Sequence, residues 1–491
     1  MDFETIIGLE VHAQLLTKSK MFCRCSADYA NAPPNTHVCQ VCLGMPGVLP
    51  TINRQAVENT IMTALALNCT TPEYTKFDRK NYPYPDLMKG YQISQSDAPI
   101  GYNGWLAIDV NGEKKRIGIS NVHLEEDVAK LVHRTSPDGE TYSLVDVNRS
   151  GVPLMEIVGD PDLRSPEEAR QYLIKLRSIL QYLGVSTANM EEGSFRCDAN
   201  ISIRPLDSPR SMAKVEVKNM NSFRAVYRAL EYEVKRQQKA VEEGKKLTQE
   251  TRGWVEEKDK TVAQRSKEYA HDYRYFPEPD LLPLVISREW VEQIRAKLPE
   301  LPEARRDRFV AEYSLPLYDA DLLTSSSATA DYFEAFVKTG EPRNLSQPER
   351  AKLGSNWILG EVSRIMNDNN IDIVDFGKMV SPERLARLVS LNSQGVINAP
   401  IAKSVLEEMF KTANEATDII TQQGLSQISD TQELEKTVIE VINSNPQPVS
   451  DFKAGKEQAL KFLVGQVMKA TQGRANPKLV NDLLMRKLGE G

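Results

Sequence analysis

Four cysteines within twenty residues, as Cys23-x-Cys25 and Cys39-x-x-Cys42, are the densest cluster of reactive side chains in this chain. In a reducing compartment, paired cysteines at such spacings indicate metal rather than disulfides. Two short pairs joined by thirteen residues of loop-like sequence can close a tetrahedral four-thiolate site, the chemistry of structural zinc, with no position left open for a substrate. Cys69 and Cys197 stand alone and read as core residues. A second concentration of chemistry lies between Met190 and Arg224. There Arg196, Asp198, Asn200, Ser202 and Arg204 alternate with Phe195, Cys197, Ala199, Ile201 and Ile203, and Lys214, Glu216 and Lys218 alternate with Ala213, Val215 and Val217. On pattern alone such a face reads as a solvated sheet surface; acid and base gathered on it would also suit a metal and a phosphate. Further polar groups recur at Glu10 and His12, and at His123, Glu125, Glu126 and Asp127.

The elements that carry these residues follow from periodicity. A period of two predicts strands over 7–15, 144–148, 195–204 and 213–218. The last two form a hairpin whose register is open, because the Pro/Asp/Ser-rich turn is too long to fix it. Helices are expected from Asn53 to Asn68, after Ser165-Pro166-Glu167-Glu168 with a leucine stripe to Leu183, and from Ser222 to about Glu243. Tyrosines and prolines over 77–95 predict an ordered extended loop, in which Lys80 and Lys89 can meet phosphate or carboxylate groups. The segment from 250 to 284 concentrates Arg252, Arg265, Lys267 and Arg274 before a proline-rich stop.

The chain has 491 residues and a net charge of −7, so it can bury large cores without staples. No apolar run reaches the ~20 residues of a membrane span, and the acidic N-terminus shows no targeting segment. A cytoplasmic protein is expected, with no membrane and no DNA among its partners. Neither a GxxxxGK[ST] loop nor a GxGxxG fingerprint occurs, so any ATP site must be borne on a sheet. No GxSxG elbow is present either, so an amide donor would need a nucleophile from another chain.

Eight motifs occur in order: GLEVHAQL, the cysteine pairs, RKNYPYPDLMKGYQISQ, HLEED, DVNRSGVPLMEIV, MEEGSFRCDANIS, KVEVKNMNSFR and RSKEYAHDYRYFPEPDL. Together they resemble the B-subunit family of bacterial aspartyl/glutamyl-tRNA amidotransferases over essentially the whole chain. The resemblance implies an ATP-dependent ligase acting on Glu misacylated to tRNA(Gln) or Asp misacylated to tRNA(Asn). Its side-chain carboxylate is phosphorylated, and ammonia then displaces phosphate. An A subunit would supply ammonia from glutamine, and a small C subunit would brace the complex. The same resemblance implies Mg²⁺ held by Glu10, His12, Glu125, Asp198 and Glu216. Lys80, Arg149 and Lys218 are the implied phosphate contacts, Lys89 and Arg196 join Lys80 and Lys218 around the nucleotide, and Glu156 orients substrate or handles ammonia. Two other classes remain: a non-catalytic tRNA-binding scaffold within the same complex, and a stand-alone ligase using free ammonia.

The expected fold is α+β: a mixed or antiparallel sheet "cradle" with flanking helices over 1–294, a helical domain over 295–412, and a small helical tail over 413–491. Asn445-Pro-Gln-Pro448 reads as a linker. From Phe452 onward eight Lys/Arg face three acidic residues, a net +5 on an acidic chain. A basic tail of this kind suits a phosphate backbone, and the resemblance implies tRNA contact.

Overall fold

In a computed structural model the structure describes residues 2–110, 112–207, 211–266, 273–425, 431–453, 456–471 and 473–489. Residues 267–272, with Lys267 and part of the RSKEYAHDYRYFPEPDL motif, lie outside the described residues, as do 208–210 of the hairpin turn.

An eight-stranded mixed sheet organises the first part of the chain. Its strands are β1 (Phe3–Gln14), β2 (Gly101–Val110), β3 (Glu113–Glu126), β4 (Pro153–Gly159), β5 (Phe195–Pro205), β6 (Val215–Met220), β7 (Glu250–Val255) and β8 (Lys260–Ser266). They lie in the order β8-β7-β6-β5-β1-β4-β3-β2. All neighbours are antiparallel except β6 and β7, which run parallel. A parallel pair needs a crossover, and helix α3 (Phe223–Glu242) lies between them in the chain. The two runs read as a hairpin are indeed neighbours, with Asn200 opposite Glu216 and an irregularity between Cys197 and Ala199.

The sheet has one dry face because every second residue is apolar. Ile7, Leu9, Val11 and Ala13 of β1 are 0–1% exposed. Helices α1 (Arg54–Ala66) and α2 (Pro166–Tyr182) share their core with this face, as does α3. All three begin at polar caps: Asn53, Ser165 and Ser222 each accept a backbone N–H from the first turn. Around Ser165 the box is only half reciprocal, since Glu168 accepts from Arg164 N at 2.7 Å. The apolar period pins the register, so the intervening polar residues must fall on the opposite face.

The chain divides into two compact units, Met1–Leu301 and Pro302–Gly491. The described part of the second unit is helical and holds two separate cores. One gathers Phe309, Phe333, Phe336 and Phe376; the other gathers Leu434, Val438, Leu463, Val467, Val480 and Leu484. Ala416, Ile419 and Ile420 are buried in the first of these cores, because the helix Ala416–Gln422 keeps its apolar side toward it. The linker expected at Asn445–Pro448 is corrected: Pro446–Lys453 is a helix. Proline is tolerated in a first helical turn, where its missing N–H has no intrahelical partner.

Candidate active site

Strand β1 lies between β5 and β4, so its polar residues face partners on both sides. His12 is opposite Arg196 on β5 and Glu156 on β4, while Glu10 is opposite Asp198. On the next strand, β3, His123 is opposite Glu156. The row His123, Glu156, His12, Arg196 therefore crosses four adjacent strands, each step close to the ~4.8 Å strand spacing.

Glu156 is the centre of this row. One of its oxygens lies 3.1 Å from His123 Nε2 and 3.4 Å from His12 Nε2. His123 Nδ1 is in turn hydrogen-bonded to Asn121 Oδ1 at 2.8 Å. Glu125, 2% exposed, brings an oxygen to 3.7 Å from His12 Nε2 and accepts from Ser94 at 3.2 Å. Burial opposes a charged His12, but the Glu156 and Glu125 carboxylates outweigh it and raise the imidazole to about 9. Burial likewise opposes ionised Glu156, and the two imidazoles hold its carboxyl well below the usual range.

His12, Glu125 and Glu156 present ligand atoms within 4.8 Å of one another. Two carboxylates and an imidazole are a hard, oxygen-rich donor set that fits Mg²⁺ or, with the nitrogen, Mn²⁺. Of the five residues expected as one metal set, His12 and Glu125 come together, with Glu156 as their third member. Asp198 and Glu216 lie on β5 and β6, one and two strands beyond β1, and Lys218 is placed between them, 2.5 Å from Asp198 and 3.3 Å from Glu216. Glu10 accepts from Asn200 at 2.7 Å, and Thr251 donates to Glu216 at 2.8 Å. Burial opposes the Lys218 ammonium, yet the two carboxylates raise it. The face thus holds two groups: the metal-type set around Glu156, and a cation-bridged acidic group around Lys218.

The remaining cations differ in what they are free to do. Lys80 projects from the short strand Asp78–Asn81, its ammonium 5.1 Å from the Tyr273 ring centre and 5.9 Å from that of Tyr82. Burial opposes its charge, and Glu125, Tyr275 and Glu156 more than restore it. Lys89 is committed to Glu126 at 2.5 Å. Arg196 pairs with Asp127 at 3.0 Å. Arg149 donates to the carbonyls of Val128 and Ala129, both at 2.9 Å, and lies 3.7 Å from Asp127. It braces the turn after β3. Burial raises the Asp127 carboxyl, but the Arg196 and Arg149 charges and a hydrogen bond from Gln14 at 2.7 Å bring it below the usual range.

The four expected cysteines also converge. The Sγ atoms of Cys23, Cys25, Cys39 and Cys42 lie within 4.8 Å of one another. A hydrogen bond from the Cys23 thiol lowers Cys42 to about 5, helped by the Lys20 ammonium, while burial pushes Cys25 up to about 11. Lys20 is fully buried and donates to the His37 carbonyl at 2.8 Å. Four converging sulfurs with a stabilised thiolate are a metal-type donor set.

Sequence reasoning gave no role to Asn121 or Gln14, although both share the alternating polar faces of His123 and His12. Tyr273 was legible only as one of several aromatics, because its approach to Lys80 joins residues nearly two hundred positions apart.

Residues 5–292 match the family model "GatB/GatE catalytic domain", and residues 331–488 match "GatB domain". The chain is 61% identical over 489 residues to the aspartyl/glutamyl-tRNA(Asn/Gln) amidotransferase B subunit of Dehalococcoides mccartyi, covering 100% of this chain and 99% of the relative. It is 53% identical to the B subunit of the same enzyme from Carboxydothermus hydrogenoformans, with the same coverage. It is 55% identical to that of Moorella thermoacetica, over 99% of this chain and 100% of the relative.

Proposed function

The chain belongs to the GatB/GatE family of amidotransferase B subunits, and from that membership we propose that it amidates misacylated Glu-tRNA(Gln), Asp-tRNA(Asn) or both, with ATP as the phosphoryl donor. The observation that carries the reading is the set His12, Glu125 and Glu156 beside the aromatic-flanked Lys80. In this reading the side-chain carboxylate oxygen attacks the terminal phosphorus of ATP, and ADP leaves. Ammonia then attacks the carbonyl carbon, the C–O bond to phosphate breaks, and the amide remains.

Phosphoryl transfer is mostly positioning and charge neutralisation. His12, Glu125 and Glu156 would hold a divalent ion, Mg²⁺ or Mn²⁺, which when bound neutralises phosphate oxygens. Lys80 is flanked by tyrosine rings and keeps its positive charge, which suits an anionic phosphate. Lys218, held by Asp198 and Glu216, supplies a second cation on the same face, and Arg196 a third. Lys89 contributes to the nucleotide side only by exchanging Glu126 for a phosphate. Arg149 acts through the turn that it braces. The four cysteines hold zinc as a structural clip. An A subunit supplies ammonia, a small C subunit stabilises the complex, and the basic helical tail contacts the tRNA backbone.

The test is amidation of both misacylated tRNAs by the reconstituted complex, with and without ATP. Product formation that requires ATP and is lost in Glu156→Gln supports the reading. Retained tRNA binding with full activity in that variant overturns it and favours the scaffold.

A further inference from the structure

The loop between the cysteine pairs does more than close on its own sulfurs. Asn35, in the left-handed conformation at φ 60°, bonds three consecutive residues that precede Arg149. Its backbone N–H donates to Asp146 Oδ1 at 3.1 Å, its side-chain amide donates to the Val145 carbonyl at 3.1 Å, and its Oδ1 accepts from Val147 N at 2.8 Å. Asn148 answers from the other side. It is fully buried, accepts from His37 N at 2.8 Å and donates to the Pro33 carbonyl at 2.7 Å. Each asparagine thus bonds the backbone of the opposite segment. Arg149 follows at once and holds Val128 and Ala129. The Asp127 backbone is fixed to the same segment, with its N–H donating to Val152 O at 2.8 Å and its carbonyl accepting from Gly151 N at 2.9 Å. A second route runs from Tyr29, whose hydroxyl lies 3.0 Å from Gln14 Nε2, through that amide to Asp127 at 2.7 Å.

We infer that Asn35 and Asn148 are positioning residues that transmit the fixed geometry of the four-cysteine loop to the end of β3, and so set the orientation of Glu125. The inference rests on the reading of His12, Glu125 and Glu156 as a metal-holding set. Its physical basis is that a carboxylate one residue from the end of its strand is placed only as well as that end and the chain leaving it are anchored, and partners beyond the ligands themselves fix such groups. A surface ornament needs no buried, doubly satisfied asparagine. The buried amide of Asn148 costs free energy unless both its groups are paired, and both partners belong to the loop.

The experiment compares Asn35→Gly and Asn148→Ala with the wild-type complex. Glycine at 35 keeps the left-handed backbone and removes only the side-chain bonds, so it retains the fold if the buried Asn148 variant does not. Hydrogen exchange of the peptide spanning 121–130 should quicken by about tenfold in Asn35→Gly. Amidation kcat should fall by roughly 10- to 100-fold with KM for misacylated tRNA unchanged within about twofold, and affinity for Mn²⁺ alone should weaken in step. Metal bound by the cysteines should stay at the wild-type level. Unchanged exchange over 121–130 overturns the inference, and so does faster exchange with unchanged Mn²⁺ affinity and kcat. If the wild-type complex shows no metal-dependent turnover, the reading of the site fails by itself, while the exchange comparison still decides whether the clasp orders this strand end.

Discussion

Glu156 lies between two imidazoles, and its charge governs the proton on His12. Removing that charge in Glu156→Gln takes away the largest attraction on the His12 imidazolium while burial, which opposes it, remains. In metal-free protein the His12 titration is therefore expected to fall from about 9 to near or below the ordinary 6.5, and ring-proton NMR of the five histidines can follow it. The sign of the stability effect follows. A raised pKa in the folded state contributes stability that is complete below 6.5 and is lost as pH rises through about 9. Wild-type metal-free protein should lose thermal stability across that window relative to Glu156→Gln; parallel profiles would contradict this. The pairing of Glu10 with Asp198 and of His12 with both Arg196 and Glu156 could not be read from the residues, because alternation gives the face of a strand and not its neighbour. Glu156 itself stands in a nearly unbroken apolar run, PLMEIV, where no period marks it as part of a polar face.

At the scale of elements, close approaches decide which substitutions the cradle tolerates. A Cβ added at Gly104 in β2 would lie 2.3 Å from Cys69 Sγ and 2.7 Å from the Leu67 carbonyl. The carbonyl is backbone and cannot swing aside. Gly104→Ala should thus destabilise the first unit by about 1–3 kcal/mol in urea unfolding, with the slope unchanged. The cysteine loop is the other element under strict constraint. Cys39→Ser removes one of four converging sulfurs, and purified variant protein should lose its cysteine-bound metal, read by metal analysis. Full retention would count against a four-thiolate centre. Helix starts at Asn53, Ser165 and Ser222 were legible because a cap is a local device. The helix at Pro446–Lys453 was not, since Asn-Pro-Gln-Pro is equally good linker chemistry, and only the packing of Val449 and Phe452 on the third core selects the helix.

The whole molecule carries a net charge of −7, whereas its residues from Phe452 onward carry a net +5. Truncation after Leu425, which retains every residue of the core around Phe309, Phe333 and Phe376, should weaken tRNA binding by about tenfold or more near 100 mM salt and reduce the salt dependence of what remains. Mn²⁺ binding by the first unit should not change. Filter binding over a salt series and calorimetry check the two halves, and an unaltered salt slope would remove the tail from the interface. Among the described residues no helix is long and apolar enough to cross a membrane.

Much of this protein is dictated by local rules that a sequence displays directly. Period-two runs gave β1, β5 and β6 with their dry faces, but not the other five strands of the sheet; capping residues gave the helix starts, and cysteine spacing gave the four-sulfur cluster. The ordered motifs gave the family. Tertiary structure alone decided which polar residues share a site, because β1 pairs with strands that lie about 140 and 190 residues away. That register gathers His12, Glu125 and Glu156, and leaves Asp198 and Glu216 around Lys218. It also turns Arg149 from a free cation into a brace. Side-chain type and spacing are properties of a segment, whereas a ligand set is a property of the distances between segments, and only the folded sheet fixes those.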